Sequence, residues 1–456
     1  MKTRGLVLEA LGVVKVATAA QLRDLTCPGT AGVETVRNGC KDLELSGLVV
    51  SAGTTSRLES GGRRVTEKLW SLTPAGLEAA SHALERPLKE MGGTARAAAA
   101  SGAKHALRVT DTLAAFVQQP IEPTAGPVAA RSSAPPPQRV PLRGRPPGLG
   151  PLAAWSTEVT LPTGGTFTTP AKGSLRADAV YALPGEAVPL LFVEVDNGTE
   201  TRAEVADKLV RYAKFFARTE KPRPDQGDRK PRRLWRTVWT APENEPGWGQ
   251  PDSQPHPPVA IVFTKNMGPE AMEACLRGIA DLSAPVWRGT WNGLPGKDGD
   301  KDGYRTFGDA IPVVVCRLDR LQAEGPHGPI WWRYGRQRGG ESLVAALDDA
   351  NRPDSLAAYQ AREKERRRER EQREAAEKVA AERARAASCW ACPSCGRAVY
   401  PDKWGRVRGS VCSKCEWAAQ AAEHQAQEEA EKAAEQAEYE RQRRADGWLG
   451  WLPGRH

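Results

Sequence analysis

The chain has 456 residues, which is long enough for two or three domains with separate cores. Lysine and arginine (65) outnumber aspartate and glutamate (56), and the net charge of +9 favours a polyanionic partner such as nucleic acid over an acidic one. No apolar stretch reaches the roughly 18 residues of a transmembrane helix, so we do not expect the chain to have one. Five of the nine cysteines crowd into residues 389–415, which favours a metal site in a reducing cytoplasm over a disulfide scaffold.

Residues 1–85 predict a helical unit closed by a hairpin. A first helix covers about 4–14, and Thr18 is suited to cap a second helix that begins at "AAQLRDL". A longer third helix follows, with Val33, Val36, Cys40 and Leu43 on its apolar face. The opposite face carries the polar residues Thr35, Arg37, Asn38 and Lys41.

Two predicted strands, "GLVVSAG" and "EKLWSLTPAG", complete this unit. The segment that joins them is glycine-rich and basic and contains Arg63 and Arg64. The whole order predicts a winged helix-turn-helix, in which the third helix enters the major groove and the wing contacts the backbone. The alternative is a module that contacts only protein. The basic exposed face and wing favour double-stranded DNA as the partner.

The region 100–335 predicts an α/β domain. It starts with a helix at about 102–118 and is interrupted by a proline-rich segment, residues 120–150, which we expect to be a linker or long loop. From residue 151 strands and helices alternate, with helices at about 200–218 and 269–282. Residues 219–255 and 290–305 are polar and rich in Pro, Gly and Asp, so they predict surface insertions.

The stretch "LLFVEVD" (190–196) is apolar on both faces until two carboxylates appear, which is typical of a strand inside a covered sheet. If the hairpin before it is symmetric about Glu186, then Asp178 lies opposite Glu194, with Cβ atoms about 5 Å apart. Like charges at that range are unfavourable unless a cation lies between them. The pattern therefore predicts Asp178 and Glu194, together with Asp196, as ligands of Mg²⁺.

Two helices contribute polar groups near these strands. Lys208 stands at the edge of the apolar face of the helix at 200–218, from where its ammonium either reaches the carboxylates or pairs with Glu204 one turn away. His105 and Arg108, one turn apart on the helix at 102–118, belong either to the site or to a surface pair. The surface pair is the favoured interpretation.

The order of helix, strand, strand with Asp, strand with Glu, helix and strand resembles the PD-(D/E)xK nuclease-like, or restriction-endonuclease-like, fold. This resemblance implies that Asp178 and Glu194 bind magnesium and that a lysine orients or activates the attacking water. The usual position of that lysine holds Asp196 here. Lys208 fits a variant in which the following helix supplies the lysine, and a degenerate domain that does not cut is the alternative.

A narrower resemblance covers residues 100–220. "KHALRVTD", Trp155 and Glu158, "LRADAVY" and "FVEVDNGTETRAEVADKLVRY" are together similar to the replication-relaxation family of actinobacterial plasmids and integrative elements. The resemblance implies a role in mobile-element DNA metabolism. The chain is then either a Mg²⁺-dependent nicking enzyme, with Asp178, Glu194, Asp196 and Lys208 as catalytic residues, or a non-catalytic regulator or replication accessory factor.

The segment "CPSCGRAVYPDKWGRVRGSVCSKC" contains two C-x-x-C pairs, Cys392 with Cys395 and Cys412 with Cys415. Four thiolates at this spacing predict a tetrahedral Zn²⁺ site in a zinc ribbon over 389–416, and Cys389 is able to replace Cys392. A four-cysteine site has no open position, so the zinc is structural. The basic residues on this ribbon suit contact with nucleic acid, or the ribbon only separates two helices.

Charged helices flank the ribbon at 354–388 and 417–446. They lack an apolar stripe and are rich in Ala, Glu and Arg, which predicts solvated helices with many i,i+4 charge pairs. They act as spacers or as sites of self-association or of contact with a protein partner. The predicted fold class is therefore a multidomain α/β protein with a winged helix, a nuclease-like domain and a zinc ribbon between charged helices.

Overall fold

The computed structural model of the chain describes residues 3–28, 31–58, 64–91, 103–117, 146–221, 231–240, 256–295, 301–336, 339–349, 352–402 and 406–449. The chain forms two compact units, residues 1–360 and residues 361–456. The predicted domains 1–85 and 100–335 both lie in the first unit. Across the described ranges, no helix is long and apolar enough to cross a membrane.

The N-terminal part contains three helices, a three-stranded sheet and a fourth helix. These elements are α1 (Thr3–Val14), β1 (Ala17–Thr18), α2 (Ala19–Thr26), α3 (Val33–Leu45), β2 (Val49–Leu58), β3 (Arg64–Leu72) and α4 (Pro74–Ala83). The strands are antiparallel in the order β1-β3-β2. Thr18 caps α2 as predicted, because its side chain accepts from the backbone of Gln21 while the Gln21 side chain accepts from the backbone of Thr18.

The faces of α3 are those that the sequence predicts. Val36, Cys40 and Leu43 are buried, and Val33 packs against the same core. The strands of the hairpin are longer than predicted, since β2 and β3 extend through most of the segment expected to be a loop. The glycine-rich tip is therefore short, and Arg63 lies outside the described residues.

The centre of the first unit is a six-stranded mixed sheet in the order β13-β12-β9-β6-β5-β4. Its strands and helices, in chain order, are α5 (Ala103–Phe116), β4 (Trp155–Leu161), β5 (Leu175–Ala182), β6 (Leu190–Asp196), α6 (Arg202–Ala217), β9 (Val259–Phe263), α7 (Pro269–Leu282), α8 (Ala284–Trp287), β12 (Val313–Arg317), α9 (Leu318–Glu324), β13 (Trp332–Arg333) and α10 (Leu343–Leu347). Strands β6, β9 and β12 are parallel, and the remaining pairs are antiparallel. The predicted strand at 190–196 and the predicted helices at about 200–218 and 269–282 are β6, α6 and α7, whose bounds agree to within about two residues.

Helices cover both faces of this sheet. The core on one face joins α5 and the N-terminal helices to Leu191, Val193 and Val195 of β6. The core on the other face joins α6 and α7 to Leu190 and Phe192. Every residue of β6 is buried, as its apolar sequence predicts for a strand with both faces covered.

Small hairpins lie beside the central sheet. β7 (Thr219–Glu220) pairs with β8 (Arg232–Arg233), and β10 (Thr290–Pro295) pairs with β11 (Lys301–Thr306). Residues 290–305, predicted to be a surface insertion, form a hairpin whose two arms are strands. The tip, residues 296–300, and most of the proline-rich segment 120–150 lie outside the described part of the chain. Three short 3-10 helices, Leu88–Glu90, Leu152–Ala154 and Leu234–Thr237, complete the unit.

The C-terminal region has two long helices with a small hairpin between them. Helix α11 covers Leu356–Ser388, β14 (Trp390–Ala391) pairs with β15 (Ala398–Val399), and α12 covers Ser413–Leu449. No residue of α11 is buried, which agrees with the prediction of a solvated charged helix.

Candidate functional site

Strands β5 and β6 separate at Asp178. Their pairing runs from Ala182 opposite Leu190 to Ala179 opposite Val193, and this register would place Asp178 opposite Glu194 at the next step. The ladder stops before that step, and Asp178 Oδ2 accepts a hydrogen bond of 2.7 Å from the backbone N–H of Val195. The carboxylate thereby satisfies a buried donor that would otherwise lack a partner.

The alternation of side chains in β5 breaks at the same residue. Leu175 and Ala177 pack in the core beside α6, whereas Ala179 and Tyr181 pack in the core beside α5. A regular strand would keep all four on one face, so the strand changes faces at Asp178. On the neighbouring strand Glu158 has φ +56°, a conformation that costs a residue with a Cβ atom of order 1–3 kcal/mol.

Asp178 is part of a hydrogen-bond network that leads to α5. Its Oδ1 lies 2.8 Å from Nε2 of His105, and Nδ1 of His105 lies 3.1 Å from the amide nitrogen of Asn197. The amide oxygen of Asn197 accepts a hydrogen bond of 2.6 Å from the hydroxyl of Thr264. The hydrogen bond with Asp178 raises the pKa of His105 above its ordinary value.

Glu194 is buried between β6 and α6. Tyr212 donates its hydroxyl proton to Oε1 at 2.7 Å, and Lys208 donates to Oε2 at 3.1 Å. Burial, followed by the negative charge of Asp178, raises the pKa of Glu194 to about 8. Burial thus favours the protonated form of Glu194, whereas its contacts with Lys208 and Tyr212 favour the charged form.

Lys208 contacts Glu194 and, at 2.9 Å, Glu200. Two alternatives were predicted for Lys208, and the structure shows the one in which its ammonium reaches the carboxylates. Glu204 instead closes the N-terminus of α6, where it accepts from the backbone of Thr201 while the Thr201 side chain accepts from the backbone of Glu204.

Asp196, two residues after Glu194 on β6, lines the same small recess as Glu194, Glu200 and Lys208. Its carboxylate accepts from the backbone N–H of Gly198 at 2.6 Å, and its backbone oxygen accepts from Thr264 at 2.9 Å. Gly198 has φ +68°, and a Cβ atom there would lie 2.2 Å from the side chain of Lys265. The positive φ favours glycine at this turn, and any other residue would be strained and would displace the side chain of Lys265. Burial raises the pKa of Asp196.

The arrangement does not support the predicted Mg²⁺ site. Both oxygens of Asp178 and both oxygens of Glu194 already contact hydrogen-bonding partners inside the protein. Among the described residues, four cysteines are the only group of three or more His, Cys, Asp or Glu side chains close enough to share an ion.

These cysteines are Cys392, Cys395, Cys412 and Cys415, the four that the sequence predicts as zinc ligands. Their sulfur atoms all lie within 4.8 Å of one another, and those of Cys395 and Cys412 are 3.6 Å apart. A Zn–S distance of about 2.3 Å in a tetrahedron gives sulfurs about 3.8 Å apart. The four thiols therefore fit a zinc ion. Cys389 is not part of the group.

Local structure around the thiols also suits a metal. The backbone N–H of Cys412 donates to the sulfur of Cys392 at 3.2 Å, and this contact contributes most to lowering the pKa of Cys392 to about 6. Gly396, with φ +72°, makes the tight turn after the first cysteine pair. Arg406 forms ion pairs with Asp402 at 3.1 Å and with Glu416 at 3.2 Å, so its charge is compensated within the ribbon.

The polar residues predicted to contact DNA lie on the outside of the N-terminal part. Thr35, Asn38 and Lys41 are exposed, and Arg37 is half-buried in an ion pair with Glu34. Arg64 is exposed at the start of β3. The structure thus leaves this face of α3 free of the protein core.

Sequence reasoning did not assign His105, Asn197, Tyr212 or Thr264 to the site. The favoured pairing of His105 with Arg108 is wrong, because His105 contacts Asp178 while Arg108 pairs with Asp111 at 3.2 Å. For two of these residues the sequence contains a usable signal, which is their position. Asn197 and Thr264 each follow directly after a buried parallel strand. Such ends are where sites form in α/β sheets.

Comparison with known proteins gives one match. Neither the curated proteins nor the solved structures contain a protein that matches this chain. The model of the replication-relaxation family matches residues 8–228, a segment that runs from α1 through the hairpin β2–β3, α5 and β4 to β6 and past α6. Over these residues, which include Asp178, Glu194 and Lys208, the chain is similar to replication-relaxation proteins.

Proposed function

We propose that this chain is a DNA-binding protein that acts in the cytoplasm in the replication and relaxation of a plasmid or other mobile element. The family match over residues 8–228 supports this role. The observation that carries DNA binding is the exposed polar face of α3 beside the hairpin β2–β3. Helix α1, strand β1, helices α2 and α3 and the hairpin follow one another in the order of a winged helix-turn-helix, whose third helix enters the major groove.

Substitutions on α3 test this proposal. Asn38→Ala is expected to cost about 1–3 kcal/mol of binding to a specific site, because asparagine pairs with adenine in the major groove. Lys41→Ala is expected to weaken binding to all sequences and to reduce the salt dependence by about one phosphate contact. Binding is measured by fluorescence anisotropy on duplexes derived from the host element.

The matched control replaces Lys172, an exposed lysine far along the chain in the loop before β5. Lys172→Ala removes the same charge as Lys41→Ala and is expected to leave affinity unchanged. Equal losses in both lysine variants would mean that only net charge matters. Unchanged affinity in both α3 variants would refute docking through α3.

DNA nicking is the second candidate function. Its support is the order α5, β4, β5, β6, α6 and β9, which parallels the PD-(D/E)xK core, together with the contact between Lys208 and Glu194. In this role the ammonium of Lys208 would stabilise charge on the attacked phosphate. His105 would hold a proton beside Asp178. Because the carboxylates do not fit Mg²⁺ as they stand, no step is assigned to a metal.

A supercoiled-plasmid assay distinguishes this candidate from a regulator or accessory factor. A nicking enzyme converts the supercoiled plasmid to the open circle, and Lys208→Met or Glu194→Ala abolishes the conversion. The reactions are run with EDTA, Mg²⁺ and Mn²⁺ in parallel. A shift in DNA mobility without nicking, equal in wild type and both variants, supports the non-catalytic role.

The C-terminal region is the proposed place of contact with a protein partner or with a second copy. Helices α11 and α12 carry their charges on the surface, and the ribbon between them has a candidate zinc site. Large exposed side chains on α12, Trp417 and Tyr439, are suited to such contacts.

A further inference from the structure

A cleft of about 800 Å³ opens between the N-terminal helices and the central sheet. Its floor is formed by the loops that follow β6 and β9, with Asn197, Thr264 and Lys265. One wall comes from α5 and the other from α2 and the hairpin β2–β3. The carboxyl ends of parallel strands are the usual place of ligand sites in α/β sheets.

The acids of this cleft are largely compensated by the protein itself. Asp24 pairs with Arg23 at 2.6 Å, and Asp111 accepts from Gln21 at 2.7 Å and from Arg108 at 3.2 Å. Glu67, on the hairpin, is the remaining acid of the lining.

Two exposed lysines of the lining, Lys104 and Lys265, have no ion pair with any described residue. Since the acids opposite them are mostly compensated, the cleft attracts an anion.

Most other lining groups are short hydroxyls and amides. They come from the hairpin β2–β3 and from the loops after β6 and β9, and are Thr55, Ser56, Asn197, Thr199, Thr264 and Asn266. Side chains of these types, together with lysine, make most of the contacts between proteins and the phosphates and sugars of DNA. Among the residues that the structure describes, none lining the cleft is an aromatic of the kind on which bases stack, so the lining suits a backbone rather than bases.

We propose that this cleft binds the sugar–phosphate backbone of one DNA strand and leads it from the hairpin β2–β3 to the His105–Asp178 pair. Asn197 and Thr264 line the cleft and also belong to the hydrogen-bond network of His105, so a strand on the floor lies next to that network. The inference rests on the proposed function, DNA binding, and adds a second contact surface to α3.

The double variant Lys104→Gln and Lys265→Gln tests the cleft in the full-length protein. Affinity is measured against salt concentration for a duplex and for a single strand of the same length. Affinity falls as salt rises, so log K plotted against log salt has a negative slope. Loss of two phosphate contacts makes this slope less negative by about 1.8 on duplex DNA or about 1.4 on single-stranded DNA. The substrate that shows the change identifies whether the strand in the cleft is paired.

The control is the double variant Lys172→Gln and Lys214→Gln, which removes two exposed lysines that do not line the cleft. It is expected to keep the wild-type slope on both substrates. If the cleft variant keeps the wild-type slope while DNA binding still depends on Asn38 and Lys41, the cleft does not bind DNA. The proposed function is then unaffected. A wild-type protein that binds neither substrate overturns both.

Discussion

Replacing Cys392 or Cys412 by serine is expected to reduce the zinc content of the purified chain from about one ion to nearly none. The four sulfurs already lie at the spacing of a tetrahedral site, and a serine hydroxyl is a poor substitute for a thiolate. The hairpin β14–β15 has only two residues in each strand and little core of its own. Loss of the metal should therefore unfold the ribbon while the sheet of the first unit stays intact.

Zinc is measured by mass spectrometry on the full-length protein, and the state of the ribbon is followed by protease sensitivity between α11 and α12. Cys389→Ser is the matched control, because Cys389 neighbours the site but is outside the group of four. It is expected to retain zinc and protease resistance. Zinc loss in Cys389→Ser, or a wild-type protein without zinc, would contradict this assignment.

Glu194→Gln is expected to stabilise the fold relative to wild type increasingly as the pH rises from about 4.5 to about 8. Burial and the charge of Asp178 raise the pKa of Glu194 from 4.5 to about 8. Between these values the folded state binds the proton and the unfolded state does not, so folding stability in the wild type falls with rising pH. A tenfold change in proton affinity is about 1.4 kcal/mol, so the loss across the window is several kcal/mol.

The difference in unfolding free energy between wild type and variant is measured by urea denaturation at several pH values. The raised pKa of His105 also makes stability fall with pH, but it is present in both proteins and largely cancels. Glu186→Gln, at an exposed glutamate in the turn before β6, is the control. Its difference in unfolding free energy from wild type should not grow between pH 4.5 and 8. A difference that is constant with pH would show that Glu194 is ionised like an ordinary acid.

The sequence predicts the elements well where a local pattern is strong. The apolar run of β6 gives its burial on both faces, and Thr18 gives the start of α2. The register of β5 and β6 also follows from symmetry about Glu186. The strands β10 and β11 were not predicted, because the glycines and aspartates of residues 290–305 are equally typical of a loop.

The site was less predictable, because it depends on contacts between residues far apart in the chain. His105 and Asp178 are 73 positions apart, and nothing local indicates that α5 lies over β5. The change of faces at Asp178 interrupts the alternation on which the magnesium prediction depended. By contrast, the four thiols lie within 24 residues of one another, and their spacing alone identified them.

Cys415 lies in the first turn of α12, and Cys412 directly precedes that helix. Helix α12 has 37 residues and is therefore a rod about 55 Å long. A metal bound to both cysteines would clamp the base of this rod to the cysteine pair that follows α11. The direction of the far end of α12 would then depend on a single ion. Oxidation of the thiols would remove the metal and with it this link between α12 and the first cysteine pair.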